Sequence, residues 1–388
     1  MNRIIETDQT YVAGTYARFN LSLVKGKGAC AYDETGKRYI DLGSGIAVNT
    51  FGYGDDEWKQ AVTDQMDKIT HASNLYYTDP CSALAKMLCE RTGHKKVFFA
   101  NSGAEANECA VKVARKWAYD TYGEGHGTII TLKNSFHGRT IAMLSATGQD
   151  HFHKYFAPFP EGFVYAEANN LEDVKRLSEE NACAAVMVEI IQGEGGVMPL
   201  RASFLKGVQE WCREKGMLFM VDEVQTGNGR TGELYAYMNY GLEPDVVSTA
   251  KGLGGGLPIG ACMIGEKAAH AFKPGDHGST FGGNPIACAG AISILKRIDD
   301  KLLKEVKEKS AYIFETLNGA KNVVSLSGIG FMMGVEITKN AREVVSKCIE
   351  RGVLPLTAKN KIRLLPPLNI SWDELKFAIT VLKEEIEK

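Results

Sequence analysis

Short runs of consecutive apolar residues alternate with helix-length amphipathic stretches between about residue 80 and residue 265. Five of these runs are almost continuously apolar. They are Val97–Ala100, Thr128–Leu132, Ala184–Ile191, Met217–Val221 and Val246–Val247. Runs of this kind are typical of parallel strands that are buried on both faces. With helical stretches such as Asn101–Asp120 and Phe204–Lys215 between them, they predict an α/β fold with a mostly parallel central sheet and flanking helices.

After Pro285 the segments become shorter and more mixed. Ile286–Leu317 has the spacing of one long helix, and a final helix is predicted from Trp372. The segments between them predict, in order, a strand, a strand, a helix and a strand. They are Val323–Leu326, Phe331–Ile337, Arg342–Arg351 and Ile362–Leu365. This order of short strands and helices predicts a smaller α+β domain.

The chain is expected to divide into three parts. Residues 1–49 form an N-terminal segment, in which Asp33–Gly36 carries the turn residues between two strand-like halves. We expect this segment to pack with the small domain. Residues 50–285 form the large domain, and residues 286–388 form the small C-terminal domain.

The chain has 388 residues, of which 44% are hydrophobic and 24% are charged. This composition is ordinary for a globular protein and excludes a disordered, collagen-like or coiled-coil chain. The net charge of −2 argues against nucleic acid or an anionic membrane as a general partner. No stretch has the apolar length of a signal peptide or a membrane span. Nine cysteines without a Cys-x-x-Cys motif favour reduced thiols in the cytoplasm over a disulfide framework.

Two patterns resemble ligand sites, and each has a plainer interpretation. His151 and His153 form a His-x-His pair, but no cysteine or carboxylate cluster lies at ligand spacing nearby. We expect a surface loop there and no metal. Gly227–Gly232 matches Gly-x-Gly-x-x-Gly, but no clear amphipathic helix follows it and no acidic ribose partner stands at the usual spacing. A nucleotide-dependent dehydrogenase that uses this motif is the alternative, and it is not favoured.

Three features have the chemistry of a binding site. Ser102 and Glu105 form a capping box after a predicted strand. A helix start of this kind is either a plain cap or a site for phosphate. Asp222 stands at the carboxyl end of a predicted strand, as a structural cap or as the partner of a cationic ligand. Lys251 lies between an apolar run and Gly252–Gly256. Most lysines are solvated, but burial at this place would lower the pKa of the amine and free it as a nucleophile.

Together these features are the parts that a pyridoxal phosphate enzyme needs. Six motifs also occur in order along the chain: NSGAEANE, FHGRT, EIIQGEGGV, DEVQTGNGRTG, AKGLGGGLPIG and HGSTFGGNP. From about Lys25 to Leu368 the chain resembles the class III pyridoxal-phosphate-dependent aminotransferases. The resemblance implies fold type I of these transferases and the cofactor pyridoxal 5′-phosphate. One departure is Ile190, where the family often has proline, and we expect a slightly different backbone there.

The resemblance assigns the cofactor residues. Lys251 would form the Schiff base and move the proton, Asp222 would pair with the pyridine nitrogen, and a residue of the other subunit would reach the phosphate in an obligate homodimer. The expected set is Ser102, Gly103 and Ala104 at the phosphate, Phe136 and Val224 on the ring faces, Glu223 and Gln225 near the ring, and Asp222, Lys251 and the partner's Thr280. His137 is expected to support these residues rather than to act as a general base.

The substrate residues follow from the same resemblance. Arg139 would take a substrate carboxylate and Ser279 would contact the amine donor. Arg363 would grip the α-carboxylate of 2-oxoglutarate, and Glu194 would pair with Arg363 while the amine donor is bound. Without this resemblance, Arg363 would be interpreted as a surface residue of a strand.

Within the class, the motifs are most similar to those of enzymes that act on acetylated ornithine. The expected reaction moves the terminal amino group of N2-acetyl-L-ornithine to 2-oxoglutarate, giving N-acetyl-L-glutamate 5-semialdehyde and L-glutamate in arginine biosynthesis. The alternatives are N-succinyl-diaminopimelate, succinylornithine, ornithine or 4-aminobutyrate as the donor. A non-catalytic relative that only binds the cofactor is a further alternative, but the residues that carry the chemistry are all present.

Overall fold

A computed structural model describes residues 2–388. The helices are α1 (Arg3–Tyr11), α2 (Ser44–Ala47), α3 (Asp56–Met66), α4 (Asp79–Thr92), α5 (Gly103–Tyr122), α6 (Ile141–Ala146), α7 (Leu171–Glu180), α8 (Ala202–Lys215), α9 (Pro285–Arg297), α10 (Asp300–Leu317), α11 (Ala341–Glu350) and α12 (Trp372–Glu387). The strands are β1 (Lys25–Lys27), β2 (Cys30–Tyr32), β3 (Arg38–Asp41), β4 (Lys96–Ala100), β5 (Thr128–Leu132), β6 (Phe163–Ala166), β7 (Cys183–Glu189), β8 (Ile191–Gln192), β9 (Met198–Pro199), β10 (Leu218–Asp222), β11 (Val246–Thr249), β12 (Gly260–Ile264), β13 (Val323–Ile329), β14 (Met332–Ile337), β15 (Val353–Leu354), β16 (Leu356–Ala358) and β17 (Lys361–Leu364).

The central sheet has the strand order β4, β12, β11, β10, β7, β5 and β6. Neighbouring strands of this sheet run parallel to each other, except that β12 is antiparallel to both β11 and β4. The residues of β7, β10 and β11 are all buried, which explains why their sequences are almost continuously apolar. The α/β fold with a mostly parallel sheet is therefore confirmed.

The carboxyl ends of five strands, β4, β5, β7, β10 and β11, meet at one edge of this sheet, because these strands all point the same way. Asp222 is the last residue of β10 and lies opposite Glu189, the last residue of β7. Lys251 follows β11 by two residues, and α5 begins just after β4. The fold therefore brings to one edge groups that are far apart in the sequence.

The long helix predicted over Ile286–Leu317 is wrong, because two helices occupy this stretch. The first, α9, ends at Arg297, and Ile298 leaves the helical region at φ −82° and ψ 82°. Asp299 then caps α10 by accepting a hydrogen bond from the backbone N–H of Leu302 at 2.8 Å. An aspartate that offers its carboxylate to the backbone starts a new helix here rather than continuing the old one.

The apolar core is divided between the central sheet and the C-terminal elements. Helix α9 packs against α3 and α4, and its Cys288, Ala291 and Ile294 belong to the same apolar cluster as residues of the central sheet. A second cluster joins α10, α11, α12, β14 and β17 to Ile40 and Leu42 of the N-terminal segment. The three-part division of the chain stays a prediction, and this packing favours a boundary after α9. No helix among residues 2–388 is both long enough and apolar enough to span a bilayer.

Candidate active site

A cavity of about 640 Å³ opens at the carboxyl edge of the central sheet. This volume is in the range of small-molecule and cofactor sites. Ten of the residues that the sequence predicts for the site line it. They are Ser102, Gly103, Ala104, Phe136, Arg139, Glu194, Asp222, Val224, Gln225 and Lys251. The fold therefore collects residues from positions 102 to 251 around one space.

Asp222 is held by three hydrogen-bond donors. Its Oδ2 accepts from Asn107 Nδ2 at 2.7 Å and from His137 Nδ1 at 2.9 Å. Its Oδ1 accepts from the backbone N–H of Val224 at 2.9 Å. These hydrogen bonds fix the orientation of the carboxylate at the edge of the cavity. The site thus presents a fixed negative charge to a cationic or protonated group of a ligand.

His137 is buried directly behind Asp222. Burial by itself lowers the pKa of His137, but the hydrogen bond and the charge of Asp222 outweigh it and raise the pKa above its usual value. The other ring nitrogen, Nε2, is buried without a hydrogen-bond partner in residues 2–388. The imidazole contacts Asp222, and its role in supporting the site stays a prediction.

The start of α5 offers backbone donors to the cavity. Ser102 is the N-cap, and its Oγ accepts from the N–H of Glu105 at 3.2 Å. The reciprocal half of the predicted capping box does not form, because Glu105 Oε2 accepts from the N–H of Asn101 instead, at 2.5 Å. The next two residues, Gly103 and Ala104, line the cavity with the first N–H groups of the helix. These groups make an anion site of the kind that binds phosphate.

Val224 packs tightly on the first turn of α5. A Cβ atom added to Gly103 would lie 2.5 Å from Val224 Cγ1, so a larger residue at this position would push Val224 into the cavity or out of it. The glycine in the motif therefore has a packing reason as well as a backbone one.

Lys251 lies at the start of a short 3₁₀ turn and has a left-handed backbone, with φ at 45°. Burial lowers the pKa of its amine, although the charges of Glu194 and Asp222 oppose the shift. A lysine with a lowered pKa has more of its amine in the neutral, nucleophilic form. The environment of Lys251 is therefore that of a reactive amine rather than of a solvated surface lysine.

The Gly227–Gly232 motif is a buried turn that supports this lysine. Asn228 Nδ2 donates to Thr249 Oγ1 at 3.1 Å and to the Ala250 carbonyl at 3.2 Å, just before Lys251. Arg230, in the same turn, donates to the carbonyl of Pro366. Burial lowers the pKa of Arg230 to about 9. The motif thus connects the Lys251 turn with the segment that follows β17.

Arg363, which is buried, and Glu194, which is partly exposed, form an ion pair beside the cavity. Arg363 Nη1 lies 2.5 Å from Glu194 Oε1 and 3.2 Å from Gln225 Oε1. Burial alone would raise the pKa of Glu194, but the Arg363 guanidinium holds it below its usual value. Arg363 is 3% exposed, and its Nε has no partner in the described part of the chain. The guanidinium therefore keeps unused donors while one carboxylate neutralises it.

Arg139 is an exposed guanidinium that lines the cavity without an ion-pair partner among residues 2–388. Its guanidinium carbon lies 4.0 Å from the centre of the Phe152 ring and 5.4 Å from the centre of the Phe136 ring. The arginine is thus held by aromatic contacts and leaves its N–H groups for a ligand.

Glu223 is not brought to the cavity, in contrast to the prediction. Its Oε1 accepts from the N–H of Tyr237 at 2.8 Å, and its Oε2 accepts from Thr226 Oγ1 at 2.5 Å. Burial raises the pKa of Glu223 to about 7. The carboxylate of Glu223 is therefore engaged outside the cavity lining, and a place near the ring stays a prediction.

Ser279 and Thr280 also lie outside this cavity, in a neighbouring one of about 500 Å³. Asn101 lines both cavities, and its Nδ2 donates to Ser279 Oγ at 3.2 Å. Thr280 therefore does not reach the site of its own chain in this structure, and its predicted contact with a partner's phosphate stays a prediction.

Two residues of the site were missed by the sequence analysis. Asn107 bridges Asp222 and the carbonyl of His137, and its polar side chain within the apolar face of α5 was the available signal. Glu189 accepts from the N–H groups of Phe136 at 2.7 Å and of Gly193 at 3.0 Å. Burial raises the pKa of Glu189 to about 7. Its place at the end of a buried strand is the same signal that singled out Asp222.

Residues 11–386 match the family model of the class-III aminotransferases. The chain belongs to this family. It is 47% identical to the acetylornithine aminotransferase of Haemophilus ducreyi over 100% of this chain and 99% of the relative. The ornithine aminotransferase of Toxoplasma gondii, solved with pyridoxal phosphate at partial occupancy in its active site, superposes with a TM-score of 0.93 at 32% identity, over 99% of this chain and 93% of that one.

The N-acetylornithine aminotransferase of Stenotrophomonas maltophilia has a TM-score of 0.85 at 33% identity, and each chain is covered to 98%. The fold is that of these pyridoxal-phosphate-dependent aminotransferases. The protein is an aminotransferase, and its cofactor is pyridoxal 5′-phosphate.

Proposed function

We propose that the enzyme transfers the terminal amino group of N2-acetyl-L-ornithine to 2-oxoglutarate, giving N-acetyl-L-glutamate 5-semialdehyde and L-glutamate, as a step of arginine biosynthesis. The observation that carries the proposal is the Arg363–Glu194 pair beside Lys251, with Arg139 unpaired on the same cavity. The choice of an acetylated donor is supported by the identity of 47% with an acetylornithine aminotransferase over the full length of this chain.

The polar and apolar groups that line the cavity fit pyridoxal phosphate. The N–H groups at the start of α5 suit the phosphate, and Asp222 suits a protonated pyridine nitrogen. The buried Nε2 of His137 and Oδ1 of Asn107 have no hydrogen-bond partner within residues 2–388, and both residues line the cavity. Phe136 and Val224 are apolar walls for the ring.

When bound, the cofactor supplies an electron sink for the negative charge at the carbon that loses its proton. Asp222 would pair with a protonated pyridine nitrogen, and its three hydrogen bonds hold the carboxylate in place. Lys251 Nζ would hold the cofactor in the resting enzyme. The same amine, when free, would take the proton from the δ carbon of the substrate.

The two arginines serve two unlike substrates. Acetylornithine has one carboxylate, which Arg139 binds, while Glu194 neutralises Arg363. 2-Oxoglutarate has two carboxylates, so its α-carboxylate replaces Glu194 at the buried Arg363 fork. Ser279, which hydrogen-bonds to Asn101, contacts the amine donor from the side of the neighbouring cavity.

We further propose a homodimer in which Thr280 serves the partner's phosphate. Exposed apolar side chains cluster near this loop, and they are Met66, Ile69, Leu75, Tyr76, Tyr77 and Phe281. Asn74 Nδ2 joins the two segments by donating to the carbonyls of Ser279 at 2.9 Å and Gly282 at 3.0 Å. An exposed apolar patch of this kind marks an interface. All nine cysteines lie within residues 2–388 and are unpaired, which supports a reducing cytoplasm as the place of action.

A comparison of amine donors with 2-oxoglutarate as acceptor tests the proposed reaction. The donors are N2-acetyl-L-ornithine, N-succinyl-diaminopimelate, succinylornithine, L-ornithine and 4-aminobutyrate. We expect acetylornithine to give the highest kcat/KM, above free ornithine by about tenfold or more. A higher kcat/KM for free ornithine or for 4-aminobutyrate would contradict the proposal.

A further inference from the structure

We propose that Phe152 is a positioning residue that holds the Arg139 guanidinium for the substrate carboxylate, and so contributes to selectivity for donors that carry one. The proposal rests on the proposed function, in which Arg139 binds the carboxylate of the amine donor. Phe152 is not in the motifs of the sequence analysis, and it does not line the cavity itself.

The Arg139 guanidinium contacts two aromatic rings, those of Phe152 and Phe136. The guanidinium carbon of Arg139 lies 4.0 Å from the centre of the Phe152 ring, closer than the 5.4 Å to Phe136. The two rings contact each other edge to face, with centroids 5.8 Å apart and planes at 71°. Contacts of a cation with an aromatic ring contribute to its position without using its N–H groups.

Arg139 has little else to hold it. The side chain is exposed and takes part in no ion pair and no side-chain hydrogen bond within the part of the chain that the structure describes. An arginine side chain that is free to rotate loses rotamer entropy when a ligand fixes it. A guanidinium that already rests on a ring loses less of this entropy on binding, so its affinity for a carboxylate is higher.

Phe152 is itself fixed to the loop that carries Arg139. It ends a short 3₁₀ turn, and its N–H donates to the Gln149 carbonyl at 3.0 Å. Gln149 Nε2 donates to the Ser135 carbonyl at 3.0 Å, at the base of the same loop. On the other side, His153 Nε2 lies 2.8 Å from the Leu144 carbonyl.

The His-x-His pair thereby has a structural role. His153 also approaches the Thr147 carbonyl at 2.9 Å with the same nitrogen, so this nitrogen donates to the backbone rather than binding a metal. The ring of His151 packs on Phe152, with centroids 3.9 Å apart. Both histidines therefore help to hold Phe152 where its ring contacts Arg139.

The experiment compares Phe152→Leu, Phe152→Tyr and the matched control Phe156→Leu, which removes an exposed aromatic ring from the same segment. The single-turnover donor half-reaction is followed by the absorbance of the bound cofactor, with acetylornithine and with its decarboxylated analogue N-acetyl-1,4-diaminobutane. We expect Phe152→Leu to raise the half-saturating concentration of acetylornithine by roughly 2- to 30-fold and to leave that of the analogue unchanged. The limiting rate and the affinity for pyridoxal phosphate stay at the wild-type value.

Phe152→Tyr and Phe156→Leu are expected to behave like the wild type. Equal losses with both donors, or no loss with either, would overturn the role of Phe152. Arg139→Gln separates this failure from failure of the proposed function. If Arg139→Gln loses the preference for the carboxylate and Phe152→Leu keeps it, only the inference about Phe152 fails. If Arg139→Gln also keeps the preference, the carboxylate assignment fails and the inference falls with it.

Discussion

At the scale of single residues, Asp222 and Glu223 are adjacent buried carboxylates with different tasks. Asp222 accepts hydrogen bonds from Asn107, His137 and the Val224 N–H, and it faces the cavity. Glu223 is engaged with Tyr237 and faces away. Burial raises the pKa of Glu223 from 4.5 to about 7, so its charge is costly in the folded state.

The change Glu223→Gln tests this difference through the pH dependence of stability. The folded pKa of Glu223 lies above the ordinary value of 4.5, so the folded state holds its proton more tightly than the unfolded state. Stability from this group is fully present below about pH 4.5 and is lost as the pH rises to about 7, by about 3 kcal/mol at most. Glu223→Gln is therefore expected to flatten the fall in the free energy of unfolding between these pH values.

The measurement is urea denaturation of both proteins at a series of pH values. Asp222→Asn is the matched comparison, and it is expected to lower kcat/KM by roughly 10²- to 10³-fold because it removes a charge that faces the reaction. Glu223→Gln should keep most of the activity. Parallel stability curves for Glu223→Gln and the wild type would contradict the assignment.

At the scale of elements, buried strands were predictable because their apolar runs are long. The predicted Thr128–Leu132 is the observed β5, and the predicted Met217–Val221 differs from β10 by one residue at each end. Strands β6 and β12 were missed. The first residues of β12 are Gly260 and Ala261, which follow a glycine-rich stretch and have little strand propensity of their own. Their place comes from pairing with β4 and β11.

The site was predictable where a residue stands at an element boundary with a group unlike its neighbours, as for Asp222 and Lys251. Contacts between distant segments were not predictable from local pattern. The contact of Phe152 with Arg139, for example, forms only when the turn of Phe152 folds against the Arg139 loop. For Glu223, the motif resemblance did not indicate the hydrogen bonds to Thr226 and the Tyr237 N–H that hold its side chain outside the cavity lining.

At the scale of the whole molecule, the homodimer is tested with hybrid dimers. One subunit carries Lys251→Ala and the other carries Thr280→Val, and the hybrid is purified through two different tags. If Thr280 serves the partner, the hybrid has one complete site, and its activity should be about half that of the wild type.

Both parent homodimers should be nearly inactive in the same assay. An inactive hybrid would show that Thr280 serves its own chain. A monomer in sedimentation experiments would contradict the dimer itself.

The central claim is that Lys251 holds pyridoxal phosphate beside Asp222. Borohydride reduction of the holoenzyme, followed by proteolysis and mass spectrometry, tests it most directly. The account predicts that the cofactor remains covalently attached to the peptide that contains Lys251, and that Lys251→Ala abolishes the label. A label on another lysine, or no label on a protein that contains the cofactor, would contradict the account.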